Sequence, residues 1–302
     1  MADPAADLFG PDPASDPLAH YSPPDPGADL FRSATGPTAQ AWRSLASGLV
    51  FQSQGDLAGL QEYVDRQVQD LGLAFRVAGD EDERPWPLNP MPLIISAREW
   101  AKIEAGLAQR AELLERVIAD IYGPQQLVRD GHLPAAIVSG SPHFARRMVG
   151  VTPPGDRYLN VCTFDLARGP DGEWRVLTDR VRLPVGIGYA LENRLAMLRS
   201  TGGLAGRLGV RSQEAFFDAL RRGLAANCER ADPRLALLTP GRFNQSYPEQ
   251  AYLARYMGLA LVEGRDLAVR DGRLFVRTIA GLKRIDGLCR WINARDIDPL
   301  HF

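Results

Sequence analysis

Apolar residues return at helical spacing across residues 39–72. Trp42, Leu45 and Leu49 form one stripe, and Leu57, Leu60, Val64 and Val68 form another after a break at Gly55. The spacing predicts two amphipathic helices, each with a core-facing stripe. A sharper helical run follows the polar, proline-rich connection GDEDERPWPLNPMP. Ser96 and Glu99 make a capping box, in which each side chain satisfies an otherwise unpaired backbone N–H. Trp100, Ile103, Leu107, Ala111, Leu114, Val117, Ile118 and Ile121 then hold one face until Gly123 and Pro124. At 1.5 Å per residue the rod is about 37 Å long, a scaffold rather than a site.

Beyond Gly150 the period shortens from 3.6 to 2. Residues 158–166 and 173–178, carrying Tyr158, Val161, Phe164, Trp174 and Val176, read as the strands of a hairpin turned at GPDG. Residues 189–199 read as helical, and Ser212 caps a further helix through Phe216, Phe217 and Leu220. A strand over 235–238, the loop TPGRFNQSY, a helix with Pro248 at its start and Gly258 past its end, and a strand over 259–263 form a βαβ crossover. DLAVRDGRLFVRT is a hairpin turned at Asp271 and Gly272. The expected fold class is mixed α/β. A mainly helical region (39–150) precedes a region (151–302) whose mixed sheet holds βαβ and hairpin units.

Composition narrows the partners. A chain of 302 residues suggests two domains at about 150 residues each, with about three quarters of its surface buried. With 35 Lys+Arg against 37 Asp+Glu the net charge is -2, so nothing advertises nucleic acid or an anionic membrane as partner. No apolar stretch approaches the roughly 18 residues of a membrane helix. Pro4, Pro11, Pro13, Pro17, Pro23, Pro24, Pro26 and Pro37 crowd the start, so residues 1–38 are expected to be a disordered leader without an export signal. Cys162, Cys228 and Cys289 form no pairing pattern and read as reduced core thiols of a bacterial-type cytoplasm.

The motifs of common hydrolases are absent: the sequence holds no phosphate-loop GxxxxGK[ST], no HExxH and no GxSxG. His20, His132, His143 and His301 lack metal-ligand spacing and read as structural or surface residues. The informative stretch is 158–194. Asp165 and Arg168 end one strand, Asp179 and Arg180 end its partner, and Glu192, Asn193 and Arg194 follow a loop with Gly186 and Gly188. Acidic oxygens and an Asn carbonyl are the hard ligands Mg²⁺ prefers, guanidiniums grip phosphate or carboxylate, and glycines let N–H groups approach an anion. Structural ion pairs are the alternative for the same residues. Asn244 and Tyr247, between a strand end and a helix N-terminus, suit a substrate carboxylate or, alternatively, an ordinary capped turn.

Three blocks carry a resemblance: NPMPLIISAREWAKIEAGLAQRAELLERVIADIYGPQQLV, the DR and GYALENR of the central stretch, and LLTPGRFNQSYPEQAYLARYMGLALVEGRDLAVRDGRLFVRT. From about residue 85 onward the chain resembles the circularly permuted type 2 ATP-grasp proteins, relatives of glutathionylspermidine synthetase. The resemblance implies an ATP- and Mg²⁺-dependent ligase that joins a small carboxylic acid or peptide to an amine through an acyl-phosphate. It implies catalytic roles for Arg180 and Arg194, and ATP contacts from Gly186, Gly188 and Tyr189. Asp179, Glu192 and Asn193 would ligate metal; Asp165, Arg168, Asn244 and Tyr247 would meet substrate. Two departures stand out: Thr178 where many relatives are acidic, and Val185 where a hydroxyl is usual. Relatives continue past the equivalent of Pro299 into subdomains that hold the nucleotide, so the expectation is a truncated chain or one half of a split enzyme. A C-terminal ATP-grasp partner, or alpha-helical and transglutaminase-like gene neighbours, are then expected partners. The alternative is a noncatalytic peptide or small-acid binding module, or an adaptor.

Overall fold

A computed structural model describes residues 21–23, 29–75, 82–182, 186–292 and 297. The leader through residue 20, the segment holding Val185, and His301 with most of ARDIDPLHF lie outside the described residues.

The unbroken apolar run Leu235–Leu238 has every residue buried, the signature of a strand covered on both faces. It is the middle of a three-stranded parallel sheet, flanked by Ala260–Val262 on one side and Gly287–Arg290 on the other. The helix Tyr247–Met257 makes the expected crossover between the first two strands. One sheet face packs Leu235 and Leu237 against Leu191, Phe217, Leu253 and Met257 of three helices, Ile187–Ser200, Glu214–Ala226 and Tyr247–Met257. The other packs Ala236, Leu238 and Val262 on Ile285, Leu274 and Val276 of the antiparallel sheet Leu267–Arg270, Arg273–Thr278, Gly281–Ile285. The helix Leu57–Asp70 adds a further layer, its Val64 and Val68 meeting Tyr189, Ala196 and Tyr252. Trp42, Leu45 and Leu49 of Gly36–Gln52 close on Leu60 and Leu204.

The sequence reading needs four corrections. Helical structure starts inside the expected leader, at Leu30–Ser33 and Gly36–Gln52: Asp29 accepts from the Arg32 N–H as a cap, and Pro37 sits in a first turn, where its missing N–H costs nothing. The hairpin strands run later than expected, over Thr163–Arg168 and Trp174–Arg180, because the N–H groups of Tyr158 and Leu159 donate instead to Glu115 at 2.8 and 2.7 Å. The strands Gly281–Ile285 and Gly287–Arg290 are additional to the elements expected from sequence, although Asp286-Gly287 between them is the same turn dipeptide as Asp271-Gly272. The long helix Ala97–Tyr122 has its capping box, yet among its stripe residues only Ile103 is fully buried and Trp100 stays 38% exposed.

Candidate functional site

The hairpin lies along the long helix, with a cavity of about 830 Å³ between them lined by Ile103, Leu107, Arg110, Glu112, Trp174 and Val176 among others. Charged pairs stitch the two together. Arg110 donates to both Asp179 oxygens at 2.5 and 2.7 Å, which holds that carboxyl below its usual range, and Lys102 pairs with Glu173. Across the hairpin Arg180 grips Asp165 at 3.0 and 2.7 Å, while Arg168 Nε stands 4.0 Å from Glu99. Asp165 sits opposite Thr178, and Thr163 is the register partner of Arg180, so Asp165 and Arg180 meet as diagonal neighbours on one face of the hairpin.

A second polar assembly lies where the helices Ile187–Ser200 and Tyr247–Met257 start. Glu249 is 0% exposed, and its Oε1 accepts the N–H of Gly186 at 2.5 Å and of Gly188 at 3.2 Å. The backbone donors expected to cradle a phosphate are thus taken by an internal carboxylate at the positive end of a helix. Burial pushes the Glu249 carboxyl up; the main-chain bonds oppose that and do not win. A Cβ at Gly188 would stand 2.4 Å from the Glu249 carbonyl oxygen, so this glycine serves the contact between the two helices. Tyr189 is buried, stacked on Trp86 at 4.3 Å, and donates its hydroxyl to Ala74 O at 3.1 Å. Burial first and Glu249 second push its phenol up to about 12, so it stays a donor. One turn on, buried Glu192 pairs with Arg255, Asn193 Oδ1 is buried without a hydrogen-bond partner, and half-buried Arg194 makes no ion pair among the described residues.

At the carboxyl edge of the parallel sheet, Asn244 Oδ1 accepts from the Ser246 N–H at 2.9 Å and the Tyr247 N–H donates to Asn244 O at 3.0 Å. These are the bonds of a capped turn. The functional-looking polar groups here are ones the sequence reading passed over. Gln250 is 1% exposed and donates from Nε2 to Trp291 O at 3.1 Å, while Gln250 Oε1, Glu249 Oε2 and Trp291 Nε1 are buried without partners. Only the position of Glu249 and Gln250 in a first helical turn could have pointed to them; burial of those side chains and the strand leading to Trp291 are tertiary facts.

The residues expected to ligate Mg²⁺ do not assemble. Both Asp179 oxygens face Arg110, and Glu192 faces Arg255. Glu192 and Asn193 keep one unpartnered oxygen each, yet consecutive helical residues point about 100° apart and do not converge on one cation. Among the described residues no three His, Cys, Asp or Glu side chains come together to hold a metal ion. The donor set therefore does not fit the cation in this arrangement. Likewise the Arg180 guanidinium, for which a catalytic role is expected, is bound to Asp165. Cys162, Cys228 and Cys289 are free and half-buried rather than in the core that was expected for them; burial raises each thiol, Cys289 to about 11. No helix among the described residues is long and apolar enough to cross a membrane.

Parallel strands with helices on one face and a three-stranded antiparallel sheet on the other define a mixed α/β protein. The chain belongs to the circularly permuted ATP-grasp type 2 family, which residues 92–302 match. It is similar to an uncharacterized protein of Mycobacterium tuberculosis (strain ATCC 25618 / H37Rv), 38% identical over 276 residues that cover 91% of this chain and 50% of the relative. An uncharacterized protein of Mycobacterium leprae is 37% identical over 263 residues, covering 86% and 46%. One from Synechocystis is 35% identical over 291 residues, covering 93% and 59%. The chain spans about half the length of the mycobacterial relatives it matches.

Proposed function

We propose that this chain is the substrate-recognising part of an ATP-dependent carboxylate–amine ligase. Family membership over residues 92–302 carries the reading. In the proposed reaction a carboxylate oxygen attacks the γ-phosphorus of ATP and ADP leaves. An amine then attacks the acyl carbon, phosphate departs with the carboxylate's oxygen, and the amine nitrogen loses a proton. Mg²⁺ would neutralise charge on the phosphates when bound; no step is assigned to a metal on the described residues. The small carboxylic acid or peptide, the amine, ATP and any second polypeptide are parts of this proposal, as is a place in the cytoplasm.

Arg182 and Arg194 are the arginines of the central stretch that no acid pairs among the described residues; Arg182 is held by His143 Nδ1 at 2.9 Å, and we assign Arg194 the anionic substrate. Arg180, Arg168 and Asp165 would hold the hairpin in shape. A second reading, a noncatalytic small-acid binding module, is favoured by the guanidiniums that occupy Asp165, Asp179 and Glu192.

ADP formation separates the two. It is followed with MgATP, mixed carboxylic acids and mixed amines, for the chain alone and supplied with the remaining half of the M. tuberculosis relative. The ligase reading expects no ADP without acid, continued ADP turnover only when acid and amine are both present, and a loss of about a hundredfold in Arg194→Ala, the scale of one lost charge-stabilising donor. Acid binding without any ADP supports the module.

A further inference from the structure

We infer that the crevice at the carboxyl edge of the parallel sheet, between strands Leu235–Leu238 and Gly287–Arg290, binds the amide group of a small peptide-type substrate. The amide N–H would donate to Gln250 Oε1, and its C=O would accept from Trp291 Nε1. The inference names a substrate class for the reading above and rests on it.

Topology marks the place. From Leu235–Leu238 the chain crosses to Ala260–Val262 on one side, then returns to lay Gly287–Arg290 on the other. Strand order reverses there, and in open α/β sheets the crevice outside the carboxyl ends at such a point is where ligands sit. Trp291 directly follows the third strand, its N–H donating to Leu238 O at 3.2 Å, and Gln250 stands in the first turn of the eleven-residue helix that follows the first strand.

Hydrogen-bond accounting supplies the chemistry. The Trp291 carbonyl can only accept, so the Gln250 group facing it at 3.1 Å is Nε2, and this fixes Oε1 as the unpaired end. The indole Nε1–H of Trp291, a donor only, is also buried and unpaired. A free acceptor on Gln250 and a free donor on Trp291, residues joined by the Nε2 bond to the Trp291 main-chain carbonyl, complement a secondary amide, which presents one of each. Leaving both unmet is costly, because a buried polar group without a partner has lost its water and gained no bond in exchange. Glu249 Oε2, a third unpaired acceptor on the same turn, suits the amino group of such a substrate.

Entry requires the loop 239–246 to lift. Its side-chain hydrogen bonds among the described residues are internal to the loop, with Thr239 Oγ1 accepting from the Gly241 N–H at 3.1 Å and Asn244 capping Ser246, and Arg242 stacks on Phe243 at 4.8 Å; the Thr239 N–H ties its start to Val262 O at 2.9 Å. Gly241, at φ 99°, is the residue on which it would turn.

Titration of the chain with glycylglycine, without nucleotide or Mg²⁺, tests this separately from ligase activity. Saturable binding is expected, weakened about tenfold in Trp291→Phe and in Gln250→Leu, the scale of one lost bond to a buried group, and unchanged in Arg66→Ala on an exposed face. The indole N–H resonance of Trp291 in wild-type protein should shift on titration, which keeps the test decisive where a variant fails to fold. Absence of saturation, equal affinity in all variants, or an unmoved Trp291 resonance would overturn the inference; the last is the outcome if only water meets these groups. ADP formation plays no part in this readout, so a failed ligase assay leaves the binding result standing, and the reverse.

Discussion

Glu249 joins three levels of the molecule through one carboxylate. It stands in the first turn of one helix, closes the N-terminus of another, and is fully buried between them. Because burial raises its folded value above that of the unfolded chain, the folded state binds the proton more tightly. Stability from this group is complete below the ordinary carboxyl range and is lost as pH rises through the folded value. Glu249→Gln keeps an acceptor for Gly186 and Gly188 but has no charge to desolvate. Denaturant unfolding at pH 4 and pH 8 should therefore show the variant gaining on wild type as pH rises. Glu249→Ala, which orphans both N–H groups and opens a void, should lose about 3 kcal/mol. A Gln variant that falls behind wild type as pH rises would contradict the assignment. These residues show why the site was only half legible. GYALENR was recognisable as a polar block after glycines, but the same glycines serve a bound phosphate or an internal carboxylate equally well, and the acid that takes them stands 61 residues away from Gly188.

Local code was strong wherever capping and periodicity agreed. The S-x-x-E box at Ser96 and the glycine stop at Gly123 place the long helix to the residue, and the βαβ unit follows from its apolar run, Pro248 and Gly258. The hairpin was readable as a hairpin but not in its bounds. Glu115, far away in the chain, takes the N–H groups of Tyr158 and Leu159, and Tyr122 stacks on Tyr158 at 6.4 Å, so that segment belongs to the helix and not to the sheet. A two-stranded sheet is marginal on its own, and its attachments to the helix matter. The Arg110–Asp179 pair is one of them. Arg110 is 43% exposed, so solvent screens it, and a double-mutant cycle should give a small favourable coupling. Arg110 holds the Asp179 carboxyl below its ordinary value, so this coupling is present above about pH 4 and fades as acid protonates the folded pair. A coupling that survives at pH 2, or is absent at pH 7, would show that the pair does not clasp the two elements.

At the scale of the whole molecule, two assemblies share the work proposed here. The hairpin and long helix present paired charges around a cavity of about 830 Å³. The parallel sheet, with its covering helices and hairpin sheet, builds the crevice in which Gln250, Trp291 and Glu249 keep unpaired polar atoms. Helices before residue 76 fasten to the second assembly through Val64, Val68 and the Tyr189 and Tyr252 hydroxyls, which donate to Ala74 O and Gly72 O at 3.1 and 2.6 Å. None of these long-range bonds has a period or a motif, which is why the family and the element order could be read from sequence while the gathering of side chains could not. The central claim is that a carboxylate is activated by phosphorylation. Its most direct test is oxygen transfer, with the carboxylic acid labelled with ¹⁸O and supplied with MgATP and amine to the chain together with the remaining half of a mycobacterial relative. The account predicts one labelled oxygen in the inorganic phosphate released with each amide formed. Amide formed alongside unlabelled phosphate would contradict it.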